Sequence, residues 1–172
     1  MLNEVRRVLA LAEELCGDHF QLSAFDLRSA PYDVHTAREL IADGIEPPPQ
    51  PSQLAELRRC DLTREERSAR DRRRTHYRVC LWDPHILAVC DQGAAAGALL
   101  LYVLTHELVH VVRFAKQLAL FDATAATRAL EEQAVHQATE KILGRAREPG
   151  LTELLGHLPT LGRCLGSLTQ PD

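Results

Sequence analysis

Aromatic residues are scarce, at 5% of 172 positions, with one Trp and one Met. Leu, Val and Ala must therefore supply most of any core. Cysteine is thin as well: five thiols, at 16, 60, 80, 90 and 164, include no Cys-x-x-Cys pair. An odd, widely spaced set excludes a disulfide scaffold and fits reduced, mostly buried thiols in a cytoplasmic protein, with no Cys80–Cys90 bridge expected. The short apolar run near the N-terminus is flanked by charges and lacks the core of a secretory signal. The longest apolar stretch, residues 94–112, carries His106, Glu107 and His110. A lipid-facing helix would not tolerate those groups, so no membrane association is expected. Neither sign of charge dominates, 20 basic against 24 acidic residues giving −4, which argues against nucleic acid as a partner. No internal repeat is visible.

What is present suits one domain: 45% hydrophobic and 26% charged residues, a length able to bury a sizeable core, and eight histidines that composition does not explain. Apolar positions at Leu2, Val5, Leu9, Ala12 and Leu15 or Cys16 predict a helix that stops at Gly17, and a second helix is expected over residues 36–42, closed by Asp43-Gly44. Together they make residues 1–46 a helical N-terminal region. A proline-rich connector over 47–53 is too stiff to lie inside a helix. Arginines crowd residues 58–78, but Glu65, Glu66 and Asp71 are interleaved with them, which favours a solvated helix face over a nucleic-acid patch.

Residues 75–82 alternate and are rich in β-formers, Asp83-Pro84 supplies a turn, and residues 86–90 are expected to return as a second strand. A long central helix over 94–116 follows. After Thr124, helix-forming sequence resumes over 125–143 and stops at Gly144, and a tail over 144–172 carries a leucine-rich amphipathic segment. The expected fold class is α+β, predominantly helical, with a small antiparallel β element before the central helix.

That helix contains His106-Glu107-Leu108-Val109-His110, a His-Glu-x-x-His match. Two imidazoles four residues apart lie one turn apart on one face and can both ligate zinc, while Glu107 can reach an activated water as general base. Composition alone leads one to expect about 0.03 such matches in a chain of this size. The surroundings are apolar, and burying three polar groups there without partners would cost several kcal/mol, a cost that a metal would offset. Zinc also needs a third protein ligand. The next helix offers Glu131, Glu132 and His136, and helical periodicity does not choose between the two glutamates.

This segment, roughly residues 75–143, resembles the zincin metallopeptidases, specifically the glutamate-zincins, whose third ligand is a Glu on a following helix. In thermolysin-like members an Asp four residues beyond that Glu supports a zinc-binding His. Glu132 with His136 keeps the spacing, with His in place of Asp. In other members small residues follow the Glu at three and seven places, as Ala134 and Ala138 follow Glu131, although Val135 then occupies the usual Asp or Asn place. Glu132 is favoured, with His136 supporting a ligating histidine. Glu131 is the alternative, and His136 could itself ligate.

The resemblance implies a zinc-dependent peptidase acting on a peptide or protein substrate, with Zn2+ as cofactor and Glu107 as catalytic base. It also implies an upper edge strand that pairs with extended substrate, for which residues 77–81 are placed, and Trp82 as a residue of the cleft or of the core. An oxyanion donor is expected among His76, Tyr77, Tyr102 and His157. Arg113, one turn after Val109, reads equally as a surface charge. The competing reading is a metal-stabilised regulatory or partner-binding domain with little or no proteolytic activity, whose working surface would be the N-terminal region and the arginine-rich segment.

Overall fold

A computed structural model describes residues 2–22, 31–48, 53–60, 75–90 and 95–161. In chain order the elements are α1 (Leu2–Phe20), β1 (Tyr32–Thr36), α2 (Ala37–Ala42), β2 (Ala55–Cys60), β3 (His76–Leu81), α3 (Asp83–Cys90), α4 (Ala96–Ala115), α5 (Ala125–Leu143) and α6 (Leu151–Leu161). The fold is α+β and predominantly helical.

Its organising element is α4, the most apolar of the long helices, in which every residue from 98 to 112 is buried. Against it pack Val5, Val8, Ala12 and Cys16 of α1, the apolar face of the sheet, Val135, Ile142 and Leu143 of α5, and Leu151 and Leu154 of α6. Each buried Leu or Val contributes about 1.5–3 kcal/mol relative to exposure, so the elements around α4 are held chiefly by what they cover on it. By length and composition α4 could cross a membrane, but 89% of that window is buried inside the fold. Gly150, with φ +78, lets the chain turn into α6 where a Cβ would meet the Ala95 Cβ at 2.5 Å.

The sheet has the order β1-β3-β2, with β1 parallel and β2 antiparallel to the central β3. Tyr77, Val79, Leu81 and Leu57 join the main core. The opposite face is polar, with Arg78 hydrogen-bonded to both Asp33 carboxylate oxygens at 3.2 Å across the β1–β3 register. Over part of that face α2 lays Leu40, and Ala37, Leu40, Cys80 and Trp82 form a second, smaller core.

Several expectations change. The sheet is mixed rather than antiparallel. Residues 86–90 are not a returning strand but the body of α3, because Asp83 and Pro84 open a helix, where Pro needs no amide partner. The partners of β3 come instead from β1, inside the region read as purely helical, and from β2, which takes Arg58 and Arg59 into a strand. The rest of the arginine-rich segment, residues 61–74, lies outside the described residues, as do 49–52 of the connector and the chain beyond 161. Cys16 and Cys80 are buried free thiols. On α5, Leu130 is 68% exposed, and the inner face carries Glu131, Val135, Thr139 and Ile142.

Candidate metal centre

Two helices meet at the centre. On α4, His106 and His110 stand one turn apart with both Nε2 atoms toward α5. There Glu132 faces them, its Oε2 3.4 Å from His106 Nε2 and its Oε1 3.3 Å from His110 Nε2. The three side chains offer ligand atoms that all lie within 4.8 Å of one another, so they form a group that could hold a metal ion. Helix α5 is well placed for this by its ends: the Thr124 hydroxyl accepts from the Thr127 amide at 3.3 Å, and Gly144 follows the last turn.

Does the donor set fit a cation? Both Glu132 oxygens are buried without a hydrogen-bond donor, as are Nδ1 of His106 and of His110. Orphaned polar atoms are rare in interiors and expensive, and the two Glu132 oxygens sit where both Nε2 atoms converge. A tetrahedral ion with bonds of about 2.0–2.1 Å separates its ligand atoms by about 3.3–3.4 Å. The two imidazole–carboxylate separations, one to each Glu132 oxygen, are close to that length. Burial pushes His106 down to about 4, so at neutral pH its imidazole is neutral with a lone pair to donate. Burial alone would raise Glu132, but the two imidazoles that face it hold its carboxyl well below the usual range. His106 thus offers a neutral nitrogen and Glu132 a carboxylate, with His110 Nε2 beside them.

Glu107 adjoins this group. It is buried, its Oε2 has no hydrogen-bond partner, and burial raises its carboxyl to about 7 against the opposing pull of His110. It opens on a small recess lined by Leu54, Ala55, Tyr102, Val103, His106 and Glu107. The recess therefore lies between α4 and the start of β2. This relocates the expected edge strand. Residues 77–81 belong to β3, whose two sides are both hydrogen-bonded within the sheet, so it cannot take up another strand. The strand beside the recess is β2, paired only with β3 among the described residues. Charged residues hid it: in Ala-Glu-Leu-Arg-Arg-Cys, Leu57 alone signals a buried strand face.

The remaining candidates separate clearly. Tyr102, one turn before His106, places its hydroxyl 2.8 Å from Nδ1 of His136. Of the four oxyanion candidates, it is the one lining the recess. Tyr77 stacks with Phe114 in an aromatic cluster, with ring centroids 6.1 Å apart. His76 pairs with Asp33 at 3.3 Å on the far face of the sheet, and His157 is exposed and bonded to the Glu153 carbonyl at 2.7 Å. Trp82 is core, beneath α2.

His136 stands outside the ligand group. Its ring packs on His106 with centroids 4.7 Å apart, and its polar contact goes to Tyr102 rather than to a ligating imidazole. Glu131 does not compete with Glu132, because Arg113 binds both of its oxygens, Nε to Oε1 at 2.6 Å and Nη2 to Oε2 at 2.8 Å. Arg113 is thus no free surface charge, a role the sequence left open. No protein family, curated protein or solved structure matches the chain.

Proposed function

We propose that the chain is a zinc-dependent metallopeptidase of the glutamate-zincin kind, with His106, His110 and Glu132 as ligands and Glu107 as general base. The observation that carries this reading is the convergence of two buried imidazoles on a carboxylate with no hydrogen-bond donor, beside a second buried carboxylate raised to about 7. Two imidazole nitrogens and one carboxylate would leave a fourth position open, the donor set of a catalytic rather than a structural zinc site. Zinc, when bound, would polarise the scissile carbonyl and make water a better nucleophile at neutral pH.

The protein residues supply the rest. An extended substrate backbone would pair with β2 and bring its carbonyl into the recess. Glu107 would take the proton from the attacking water and deliver it to the departing amine, a task suited to a carboxyl raised by burial. The Tyr102 hydroxyl, fixed by His136, is the neutral donor nearest to hand for the developing oxyanion. The working compartment proposed is the cytoplasm, and the substrate a peptide or protein.

The test is a peptide-library assay on purified, zinc-loaded protein. Cleavage that a chelator abolishes and Glu107→Gln eliminates, while zinc content stays at wild-type level, supports the reading. Stoichiometric zinc without cleavage of any peptide would reject the enzyme and favour a metal-stabilised binding domain.

A further inference from the structure

We propose that Glu131, clamped by Arg113, is the residue that positions His110 for metal binding and sets the register of the two ligand-bearing helices. This rests on the metal-site reading above and extends it to two residues that no ligand motif includes.

The geometry has three parts. First, Arg113 lies three residues past His110 on α4, and Glu131 lies one residue before Glu132 on α5, so their fork joins the two helices next to the ligands on each. The fork is bidentate, at 2.6 and 2.8 Å, and Glu131 is only 8% exposed. Planar, two-bond pairing of guanidinium and carboxylate fixes orientation as well as distance. Second, the other ties of the connection act on the loop itself rather than between the ligand-bearing turns: Phe121 packs on Phe114 with ring centroids 5.3 Å apart, and Arg59 pairs with Asp122 at 2.6 Å. Residues 116–124 join α4 to α5, and in that loop Leu118 and Leu120 are 56% and 73% exposed. Without the fork, the direct polar tie between the helices beside Glu132 and His110 is lost, and their register there rests on apolar packing and the Tyr102–His136 hydrogen bond. Third, His110 turns its Nε2 to Glu132 and its Nδ1 to Glu131, whose Oε1 lies 4.0 Å away. That Nδ1 is buried and has no hydrogen-bond partner. A shift of about 1 Å would make Glu131 its acceptor.

A carboxylate behind a ligating imidazole holds the ring's orientation and directs the other nitrogen at the metal, and losing such a group typically costs 10–100-fold in affinity. The oxygen facing His110 is the same one that accepts from Arg113 Nε, so one carboxylate serves both tasks. Glu131 is therefore a positioning residue and Glu132 a ligand, a division of labour between neighbours that sequence periodicity leaves unresolved.

The experiment measures the zinc dissociation constant of the full chain by competition with a chromophoric chelator, together with the melting temperature of the metal-free protein. Glu131→Gln keeps volume and one hydrogen-bonding oxygen, and is expected to weaken zinc binding about 10–100-fold. Arg113→Lys keeps the charge but not the fork, and is expected to weaken zinc binding by less. It also keeps the question open to measurement if the Gln variant folds poorly. A merely structural tie would lower the metal-free melting temperature and leave the zinc constant within twofold of wild type. That result overturns the positioning role. A wild-type chain that takes up no zinc overturns the metal site itself, and with it this role.

Discussion

Replacing Glu107 with Gln in the metal-free protein should change how stability depends on pH, and the structure fixes the direction. The Glu107 carboxyl rises from 4.5 to about 7 on folding, because burial penalises its charged form. The folded chain therefore holds this proton more tightly than the unfolded chain. Below pH 4.5 the group is neutral in both states and costs nothing. As pH rises through the window from 4.5 to 7 the unfolded state gains by ionising first, and stability is lost. A shift of that size corresponds to about 3 kcal/mol, most of it between pH 5 and pH 8.

His106 works in the opposite sense over nearly the same range. Its pKa falls from 6.5 to about 4, so the stability tied to its neutral form is lost as pH falls through that interval. In the wild type the two contributions largely cancel. In Glu107→Gln the His106 slope stands uncovered, and stability should drop more steeply toward pH 5 than in the wild type. Urea unfolding of both metal-free proteins at half-unit steps, with m-values confirmed equal, reads the difference directly. It should grow by about 2–3 kcal/mol in favour of the Gln variant from pH 5 to pH 8. Parallel profiles would refute the claim that Glu107 sits desolvated beside the ligand group.

Other consequences follow from the same geometry. Tyr102→Phe removes the hydroxyl that meets His136 at 2.8 Å; zinc content should stay at the wild-type level while kcat falls about 10–100-fold with KM little changed, read by steady-state kinetics. Gly150→Ala places a Cβ on a backbone with φ +78 and 2.5 Å from the Ala95 Cβ, and should cost about 1–3 kcal/mol in urea unfolding. Leu104→Ala, in the fully buried middle of α4, should cost about 2–5 kcal/mol in the same assay without altering the zinc dissociation constant.

The strongest signals in the sequence came from periodic, apolar stretches. Residues 125–143 were expected as a helix between Thr124 and Gly144, and α5 has those bounds, because a capping hydroxyl and a helix-stopping glycine act locally. The polar insertion in the apolar run identified His106, Glu107 and His110 as chemically special, because residues so costly to bury need a reason. The sheet was far less legible. Its central strand alternates clearly, but β1 lies far back in the chain and β2 is masked by Glu56, Arg58 and Arg59, whose charges find partners within the strand, Arg58 with Glu56, or far along the chain, Arg59 with Asp122. Asp83-Pro84 reads equally as a turn and as a helix start, and only the packing of Ile86 beneath the helix decides. The choice between Glu131 and Glu132 depended on a long-range partner, Arg113, eighteen residues before Glu131, which no local pattern encodes.

The most direct test of the account is metal analysis of the chain after zinc reconstitution and gel filtration, set beside the variant Glu132→Gln. One zinc per wild-type chain, with the variant retaining far less, is the result the geometry requires. A wild-type chain that emerges with substantially less than one zinc would contradict it, and the convergence of His106, His110 and Glu132 would then be an ordinary buried polar cluster.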